Sequence, residues 1–408
     1  MAQIKPFRAL RPHNEYASQV ASRPYDVLNS EEARKEADGN LISFLHVTKP
    51  EIDLPQGTDV YSNEVYEKAK SKLQQLIDRK VLFQDDKPCY YIYELTWKGR
   101  NQTGLVCVSS VEDYFNDVIK KHEFTRPEKE LDRINHMRIT RAQTGNVFMA
   151  CKDLRELNDV LEYCKKEYVA DYDFTSSDGI THTVWVINHT ATIDVITNLF
   201  KDKIDFTYIA DGHHRAASAA KVSQQLPDSE DARWFLTTIF PANQLAILDY
   251  NRVVKDLNGL SNEEFLNRLN EDFLIERSEN AVTPNKLHQF GMYLNSQWYR
   301  LTAKENAIKN DPIGILDVTI LQENILNKIL NISDPRTDKR IDFVGGIRGL
   351  AELENRVHSG EMKVAFSLHP VSIQQLFDIA DSGNVMPPKS TCLSQSCVMV
   401  YSPIYYKH

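Results

Sequence analysis

The chain has 408 residues, which is enough for two or three domains with a sizeable hydrophobic core. Its content of 42% hydrophobic and 26% charged residues is ordinary for a soluble globular protein. The net charge of −9 argues against a nucleic-acid binder with a broad basic face, but not against a local basic pocket. No run of 18 apolar residues predicts a membrane span, and residues 1–10 lack the apolar core of a secretory signal, so we expect a cytoplasmic protein.

The six cysteines have no spacing that fits a zinc site or a redox Cys-x-x-Cys motif. Cys392 and Cys397 are near each other, with four residues between them. In a cytoplasm we expect reduced thiols. The other cysteines are scattered among core-like residues, at Cys89, Cys107, Cys151 and Cys164.

The first hundred residues predict α+β structure. Asn29 and Glu32 form a variant of the capping box, which predicts a helix over residues 31–37. Apolar residues along one face predict a second helix over residues 61–80. Two strand-like runs at 89–95 and 104–109 flank a turn at 98–101, so they predict a β-hairpin.

The remaining chain alternates helical and strand-like segments without internal repeats or low-complexity tracts. The predicted helices cover 128–141, 153–168, 191–200, 261–270, 318–330 and 372–382, the last closed by Gly383. The predicted strands cover 183–187, 206–210, 234–240, 245–249 and 364–368.

The most informative segment runs from Phe206 to Ala220, where an apolar strand meets Asp211-Gly-His-His-Arg215 and then an alanine-rich helix. A tight turn at a helix N-terminus presents free N–H groups and a positive dipole end to an anion. Gly212 allows a ligand to approach the backbone closely, and Arg215 offers donors suited to phosphate. This predicts a phosphate or nucleotide site that includes His213 and His214. The alternative is an ordinary capped helix with two solvated histidines.

A second candidate is the segment Lys121-His-Glu-Phe-Thr125, followed by arginines on the next predicted helix. Phosphoryl transfer needs a general base for the attacking hydroxyl and positive charge for the donor phosphates. Glu123 is the candidate base, beside His122, while Arg133, Arg138, Arg141 or Lys121 could supply the charge. Taken alone, the segment is more typical of a solvated amphipathic helix with exchanging salt bridges.

Two further segments carry candidate substrate-binding residues. Near the C-terminus, Lys389-Ser-Thr391 offers an ammonium group and two hydroxyls, and is predicted to bind substrate, although it lacks the glycines of a phosphate loop. Near the N-terminus, Asp26 precedes a predicted helix and could reach a metal or a substrate amine. It could equally be a turn carboxylate that bonds to its own backbone. The Lys-Ser-Thr segment taken alone is also typical of a structural turn.

Together these segments resemble a bacterial and archaeal family of uncharacterised conserved proteins. The resemblance covers nearly the whole chain. It rests on Arg23-Pro-Tyr-Asp-Val27, Lys121-His-Glu-Phe-Thr125, Asp211-Gly-His-His-Arg215 and Met386-Pro-Pro-Lys-Ser-Thr391. In this family an aromatic residue and a Pro-Lys pair are expected after the Lys-Ser-Thr segment. The tail from Cys392 to Met399 departs from that pattern.

Three of the segments also resemble those of the free L-serine kinases, which have a ParB/sulfiredoxin-like fold. That resemblance implies phosphorylation of free serine to O-phosphoserine with ATP or ADP and Mg²⁺. It implies that Glu123, following His122, is catalytic, and that Asp211 to Arg215 hold the nucleotide phosphates. In the compact kinases these two motifs are not separated by the additional chain found here. The first 110 residues also have no counterpart in those kinases.

We therefore predict an α/β (α+β) protein with a ParB/sulfiredoxin-like nucleotide-binding core at 111–260, between an N-terminal α+β region at 1–110 and a C-terminal α+β region at 261–408. The expected function is nucleotide-dependent phosphorylation of a small hydroxyl metabolite, serine first. Mg²⁺ would arrive with the nucleotide, near Asp211 or His214, since no direct metal-binding motif is present. A ParB-like nucleotide-sensing or DNA-associated adaptor and a phosphatase are the alternatives, and a homodimer is left open.

Overall fold

The computed structural model describes residues 1–123, 125–245 and 247–387, together with the short strand Cys392–Leu393. By its internal contacts the chain divides into a first unit built on Met1–Leu245 and a second unit, Ala246–Gln395. The chain has a mixed α/β architecture with several sheets. Within the described residues, no helix combines the length and apolar character that a membrane crossing requires.

The first unit contains a large mixed sheet and a short two-stranded one. Its strands are β1 (Ile4–Lys5), β2 (Leu10–Pro12), β3 (Leu82–Gln84), β4 (Tyr90–Trp97), β5 (Arg100–Ser110), β6 (Ile119–Lys120), β7 (Val147–Cys151), β8 (Tyr172–Thr175), β9 (Thr181–Ile187), β10 (Thr207–Asp211) and β11 (Trp234–Pro241). The large sheet has the order β6-β10-β7-β11-β5-β4-β9-β8, with β1 also paired to β5, while β2 pairs with β3.

The first unit has nine α-helices in its described residues. They are α1 (Ala17–Val20), α2 (Ser30–Ala37), α3 (Leu45–Thr48), α4 (Asn63–Asp78), α5 (Val111–Phe115), α6 (Pro127–Thr140), α7 (Arg155–Glu167), α8 (Thr190–Lys203) and α9 (His213–Gln225). Of these, α1 and α5 to α9 pack with the large sheet into the main core, while α2, α3 and α4 belong to two smaller apolar clusters.

The centre of the large sheet is buried on both faces. Tyr90 to Tyr93 on β4 and Leu105 to Val108 on β5 are essentially inaccessible to solvent. Such continuous burial explains why these strands read as apolar runs rather than as an alternation of polar and apolar residues. The β4–β5 hairpin turns at Lys98 and Gly99, which both have positive φ, as a tight hairpin turn requires.

The second unit contains a separate antiparallel sheet of order β14-β16-β15-β18-β13-β17, and a two-stranded ladder of β12 with β19. Its strands are β12 (Ile247–Leu248), β13 (Tyr250–Val254), β14 (Phe273–Ser278), β15 (Gln289–Leu294), β16 (Gln297–Ala303), β17 (Ile341–Gly345), β18 (Val364–Leu368) and β19 (Cys392–Leu393). Its helices are α10 (Asn262–Leu269), α11 (Asp317–Leu321), α12 (Gly349–His358) and α13 (Ile373–Asp381).

Most predicted helices and strands are confirmed to within a few residues. The capping box at Asn29 and Glu32 is present at the start of α2. The helix predicted over 318–330 is wrong in detail, because α11 ends at Leu321 and continues as a π-helix over Gln322–Asn327. The strand predicted over 245–249 is only β12. The sequence did not predict the strands β1, β2, β3, β6, β7 and β8, or the strands of the second sheet other than β18.

The described cysteines Cys89, Cys107, Cys151 and Cys164 are buried and free. Burial raises the pKa of Cys107 and of Cys151 to about 12, so both thiols are protonated at neutral pH. These cysteines are therefore packing residues of the core.

The buried carboxyl group of Asp317, at the start of α11, should make the stability of the second unit depend on pH. It is buried, its Oδ2 has no hydrogen-bond partner among the described residues, and burial raises its pKa to about 7. The unfolded carboxyl ionises at lower pH, so the folded state binds more protons and loses stability as pH rises. Between pH 5 and pH 8 we expect a loss of about 2 kcal/mol in the free energy of unfolding.

Asp317→Asn should remove this pH dependence, because the amide does not titrate. The measurement is chemical denaturation of both proteins across this pH range, followed by tryptophan fluorescence. Parallel pH profiles for the two proteins would contradict the prediction.

Candidate functional site

The sheet of the first unit brings the two central motifs together. Strands β6 and β10 are parallel neighbours, with Ile119 opposite Thr207 and Lys120 opposite Tyr208. Since the carboxyl ends of parallel strands meet at one edge, the segments that follow β6 and β10 meet there. The first carries His122 and Glu123, and the second carries the Asp211 to Arg215 motif.

Gly212 forms the turn between β10 and α9. Its φ of 95° lies in the left-handed region, which glycine adopts without strain. A Cβ at this position would lie 3.1 Å from Cζ of Arg215 and 3.4 Å from Cα of Val147. No side chain of the described residues caps the helix. The turn therefore presents first-turn backbone amides and the positive end of the helix dipole at the edge of the sheet.

His213 connects this helix terminus to the Glu123 segment. Its Nε2 accepts a hydrogen bond from the backbone N–H of His122 at 3.4 Å. This assigns its proton to Nδ1, which lies 3.7 Å from a carboxylate oxygen of Glu123. Burial, together with His122, lowers the pKa of His213 well below its usual value, so the ring is neutral at pH 7. Glu123 itself remains 37% exposed, accessible to a ligand.

His122 is a buried histidine whose ring nitrogens have no hydrogen-bond partner among the described residues. Its ring packs edge-on against that of His213, with centroids 4.5 Å apart. Burial lowers the pKa of His122 to about 4, so it is also neutral. A buried polar group without a partner costs free energy, and such groups mark places where a water or ligand is expected.

The other side of the loop is held by His214 and Glu130. Nε2 of His214 accepts the backbone N–H of Arg126 at 3.0 Å. Glu130, on α6, accepts the hydroxyl of Thr125 and pairs with Lys221 on α9. Burial alone would raise the pKa of Glu130, but Lys221 and Thr125 hold it below its usual value. The two histidines of the motif thus fix the loop that carries Glu123.

Arg215 has carboxylate partners. Its Nη2 lies 2.7 Å from Oδ2 of Asp211 and 3.3 Å from Oδ2 of Asp26, and Nη1 donates to the carbonyl of Asn146. The guanidinium is nine-tenths buried, whereas both carboxylates are about half exposed. Burial alone would lower the pKa of Arg215, but Asp26 and Asp211 raise it above its usual value. Arg215 therefore holds two accessible carboxylates side by side.

Arg133 lies on α6 and is also largely buried. Its Nε and Nη2 contact Oδ2 of Asp132 at 3.0 and 2.8 Å, and its guanidinium stacks on the ring of Tyr25 at 4.1 Å. Tyr25 and Asp26 belong to a short 3-10 turn, Tyr25–Val27. A small cavity lies between Tyr25, Arg133 and Arg215.

The structure brings together His122, Glu123, Asp211 to Arg215 and Asp26, with Arg133 one layer behind them. Arg138 is exposed on α6. Lys389, Ser390 and Thr391 lie outside the described residues. Sequence reasoning missed Tyr25, Thr144, Gly145 and Asn146, although the run Gln143-Thr-Gly-Asn146 is a turn signal before β7.

No set of three or more His, Cys, Asp or Glu side chains in the described part of the chain is arranged to hold a metal ion. The pair Asp26 and Asp211 supplies two carboxylates, which suits a Mg²⁺ ion that also binds phosphate oxygens.

Residues 4–319 match the family DUF1015, described as a protein of unknown function. The chain belongs to this family. A comparison with curated proteins found no match.

Several solved structures are distantly similar. A mutant of free serine kinase in complex with AMP has a TM-score of 0.40 at 11% identity, covering 73% of this chain and 91% of the kinase. A conserved hypothetical protein from Pyrococcus furiosus has a TM-score of 0.38 at 13% identity, covering 73% and 94%. SbnI from Staphylococcus aureus, truncated at its C-terminus, has a TM-score of 0.38 at 10% identity, covering 73% and 87%. Similarity at this level does not establish activity.

Proposed function

We propose that the first unit is a nucleotide-dependent phosphotransferase that phosphorylates a small hydroxyl metabolite, with free L-serine as the first acceptor to test. The observation that carries the proposal is the approach of Glu123 to His213 at the N-terminus of α9. A candidate general base and a candidate phosphate site, about 90 positions apart in the chain, lie at one sheet edge. A phosphoryl transfer requires this proximity.

Glu123 acts as the general base. It takes the proton of the acceptor hydroxyl as the hydroxyl oxygen forms its bond to the transferred phosphorus. The bond between that phosphorus and the nucleotide oxygen breaks, and the nucleotide leaves with the electron pair. The neutral Nδ1–H of His213 faces the carboxylate and helps to orient it, while the buried His122 ring packs behind His213.

The amides at Gly212 and the first turn of α9 bind the donor phosphates. Asp26, Asp211 and Arg215 together carry a net charge of −1, which disfavours a bare phosphate and favours a cation. The two carboxylates would hold Mg²⁺, which supplies charge neutralisation of the phosphates when it is bound. Arg215 contributes by positioning these carboxylates. We retain Arg138, and His214 through the loop, as further nucleotide-side candidates. Arg133, which the sequence suggested for the donor phosphates, pairs with Asp132 and is instead proposed to face the acceptor.

The three-region division belongs to the same proposal, with a ParB/sulfiredoxin-like core at 111–260 that contains Glu123 and the Asp211 to Arg215 motif. The large sheet that carries these motifs also includes β1, β4 and β5, and β13 belongs to the second sheet. Lys389, Ser390 and Thr391 are proposed to bind substrate or product phosphate. The motif resemblance supports both assignments.

The direct test is incubation of the purified protein with Mg²⁺, ATP or ADP, and L-serine, followed by ³¹P NMR. We expect the resonance of O-phosphoserine to grow with time, and calorimetry to show nucleotide binding that requires Mg²⁺. Nucleotide binding without transfer to any hydroxyl amino acid would favour a sensing role. Release of inorganic phosphate from O-phosphoserine without nucleotide would favour a phosphatase.

A further inference from the structure

A small cavity lies next to the turn at Gly212 in the first unit. Its volume of about 30 Å³ is enough for about two water molecules, so it can hold the two oxygen atoms of a carboxylate group. Val147 and Arg215 both line it and also border Gly212. No Asp or Glu side chain is found among the described residues that line it, which include Tyr25, Arg133, His136, Thr144, Val147 and Arg215.

Both guanidinium groups at the cavity keep donors that are unused. Arg133 spends Nε and Nη2 on Asp132, and the described residues provide no acceptor for its Nη1. Arg215 spends Nη1 and Nη2 on Asn146, Asp211 and Asp26, and its buried Nε has no partner in the described ranges. Since a guanidinium carries five N–H donors and cannot be deprotonated, these groups remain donors at any physiological pH.

The hydroxyls of Tyr25 and Thr144 also contact no hydrogen-bond partner within the part of the chain that the structure describes. Burial raises the pKa of Tyr25 to about 12, so its phenol keeps its proton. His136 is neutral, because burial lowers its pKa to about 4, and it donates Nε2–H to the carbonyl of Val47 at 2.9 Å. The cavity thus offers hydroxyl and N–H donors and is lined by no carboxylate among the described residues. Outside this lining lie the carboxylates that pair with the two guanidinium groups, namely Asp132, Asp26 and Asp211.

We propose that this cavity binds the carboxylate of the acceptor, so that the acceptor is a hydroxy acid or hydroxy amino acid. A carboxylate only accepts hydrogen bonds, and it matches the planar guanidinium of Arg133. This inference rests on the proposed function, since it concerns the acceptor of that reaction. Phosphate shares this hydrogen-bond-accepting chemistry, so it is included as a competitor in the test.

The test uses isothermal titration of the full chain in the presence of ADP and Mg²⁺ with L-serine, L-serinamide and inorganic phosphate. We expect L-serine to bind at least about tenfold more tightly than L-serinamide, because the amide turns an NH₂ donor toward a cavity that itself offers donors and leaves one of them without an acceptor. Arg133→Gln should abolish this preference and leave the affinity for ADP unchanged. The matched control is Arg155→Gln, since Arg155 is 91% exposed on α7.

Thr144→Val is a second variant if Arg133→Gln does not fold, as judged by thermal melting, and it should also weaken L-serine relative to L-serinamide. Equal affinities for L-serine and L-serinamide in the native protein would overturn the inference, as would phosphate competing with L-serine at this site. The proposed function fails by a different result. It would be contradicted if the native protein did not bind ADP in the absence of any acceptor, whereas the comparison of L-serine with L-serinamide tests only the carboxylate site.

Discussion

Replacing Glu123 with Gln should lower phosphoryl transfer by at least about a hundredfold, the lower part of the 10²–10⁴ range for general-base catalysis. Glutamine keeps the size and hydrogen-bonding capacity of the side chain but cannot take the proton of the acceptor hydroxyl. Nucleotide affinity should be unchanged, because the phosphate-binding amides belong to α9. Initial rates of phosphoserine formation and calorimetric titration with ADP measure the two effects separately.

The matched control is Glu128→Gln, five residues further along and exposed in the first turn of α6. It removes the same charge from the same neighbourhood without touching the proposed base, so its rate should equal that of the native protein. Full activity in Glu123→Gln would remove this residue from the mechanism. An equal loss in both variants would indicate a general electrostatic effect instead.

Gly212→Ala should destabilise the first unit by about 2–5 kcal/mol, combining left-handed strain with overpacking against Arg215 and Val147. The backbone of the alanine would have to keep a φ of 95°. Its Cβ would lie 3.1 Å from Cζ of Arg215 and 3.4 Å from Cα of Val147. Relief of this strain requires movement of the turn, so nucleotide binding should be lost even where the variant is folded. Thermal denaturation and ADP titration are the measurements.

Gly57→Ala separates the two causes. Gly57 has a φ of 90°, but a Cβ there would meet nothing within 4 Å. This variant should therefore show only the strain, about 1–2 kcal/mol, and should keep nucleotide binding. Equal destabilisation in the two variants would show that the close approach at Gly212 has no energetic consequence.

Local signals in the sequence determined the elements whose stabilising interactions are themselves local. The cap at Asn29 and the apolar face of α4 are examples, because both interactions involve residues within a few positions of each other. The strand–turn–helix unit around Gly212 was also predictable, since a left-handed glycine between an apolar strand and an alanine-rich helix requires no distant partner.

Interactions between distant segments were decided only by the tertiary structure. The parallel pairing of β6 with β10 places Glu123 beside His213, and a two-residue strand such as β6 has no detectable sequence pattern. The sequence suggested that Arg215 is a phosphate ligand, whereas the fold places Asp26, from near the N-terminus, beside its guanidinium. The chemical character of a side chain is encoded locally, but its charge partners and burial depend on chain segments that only the folded sheet brings into contact.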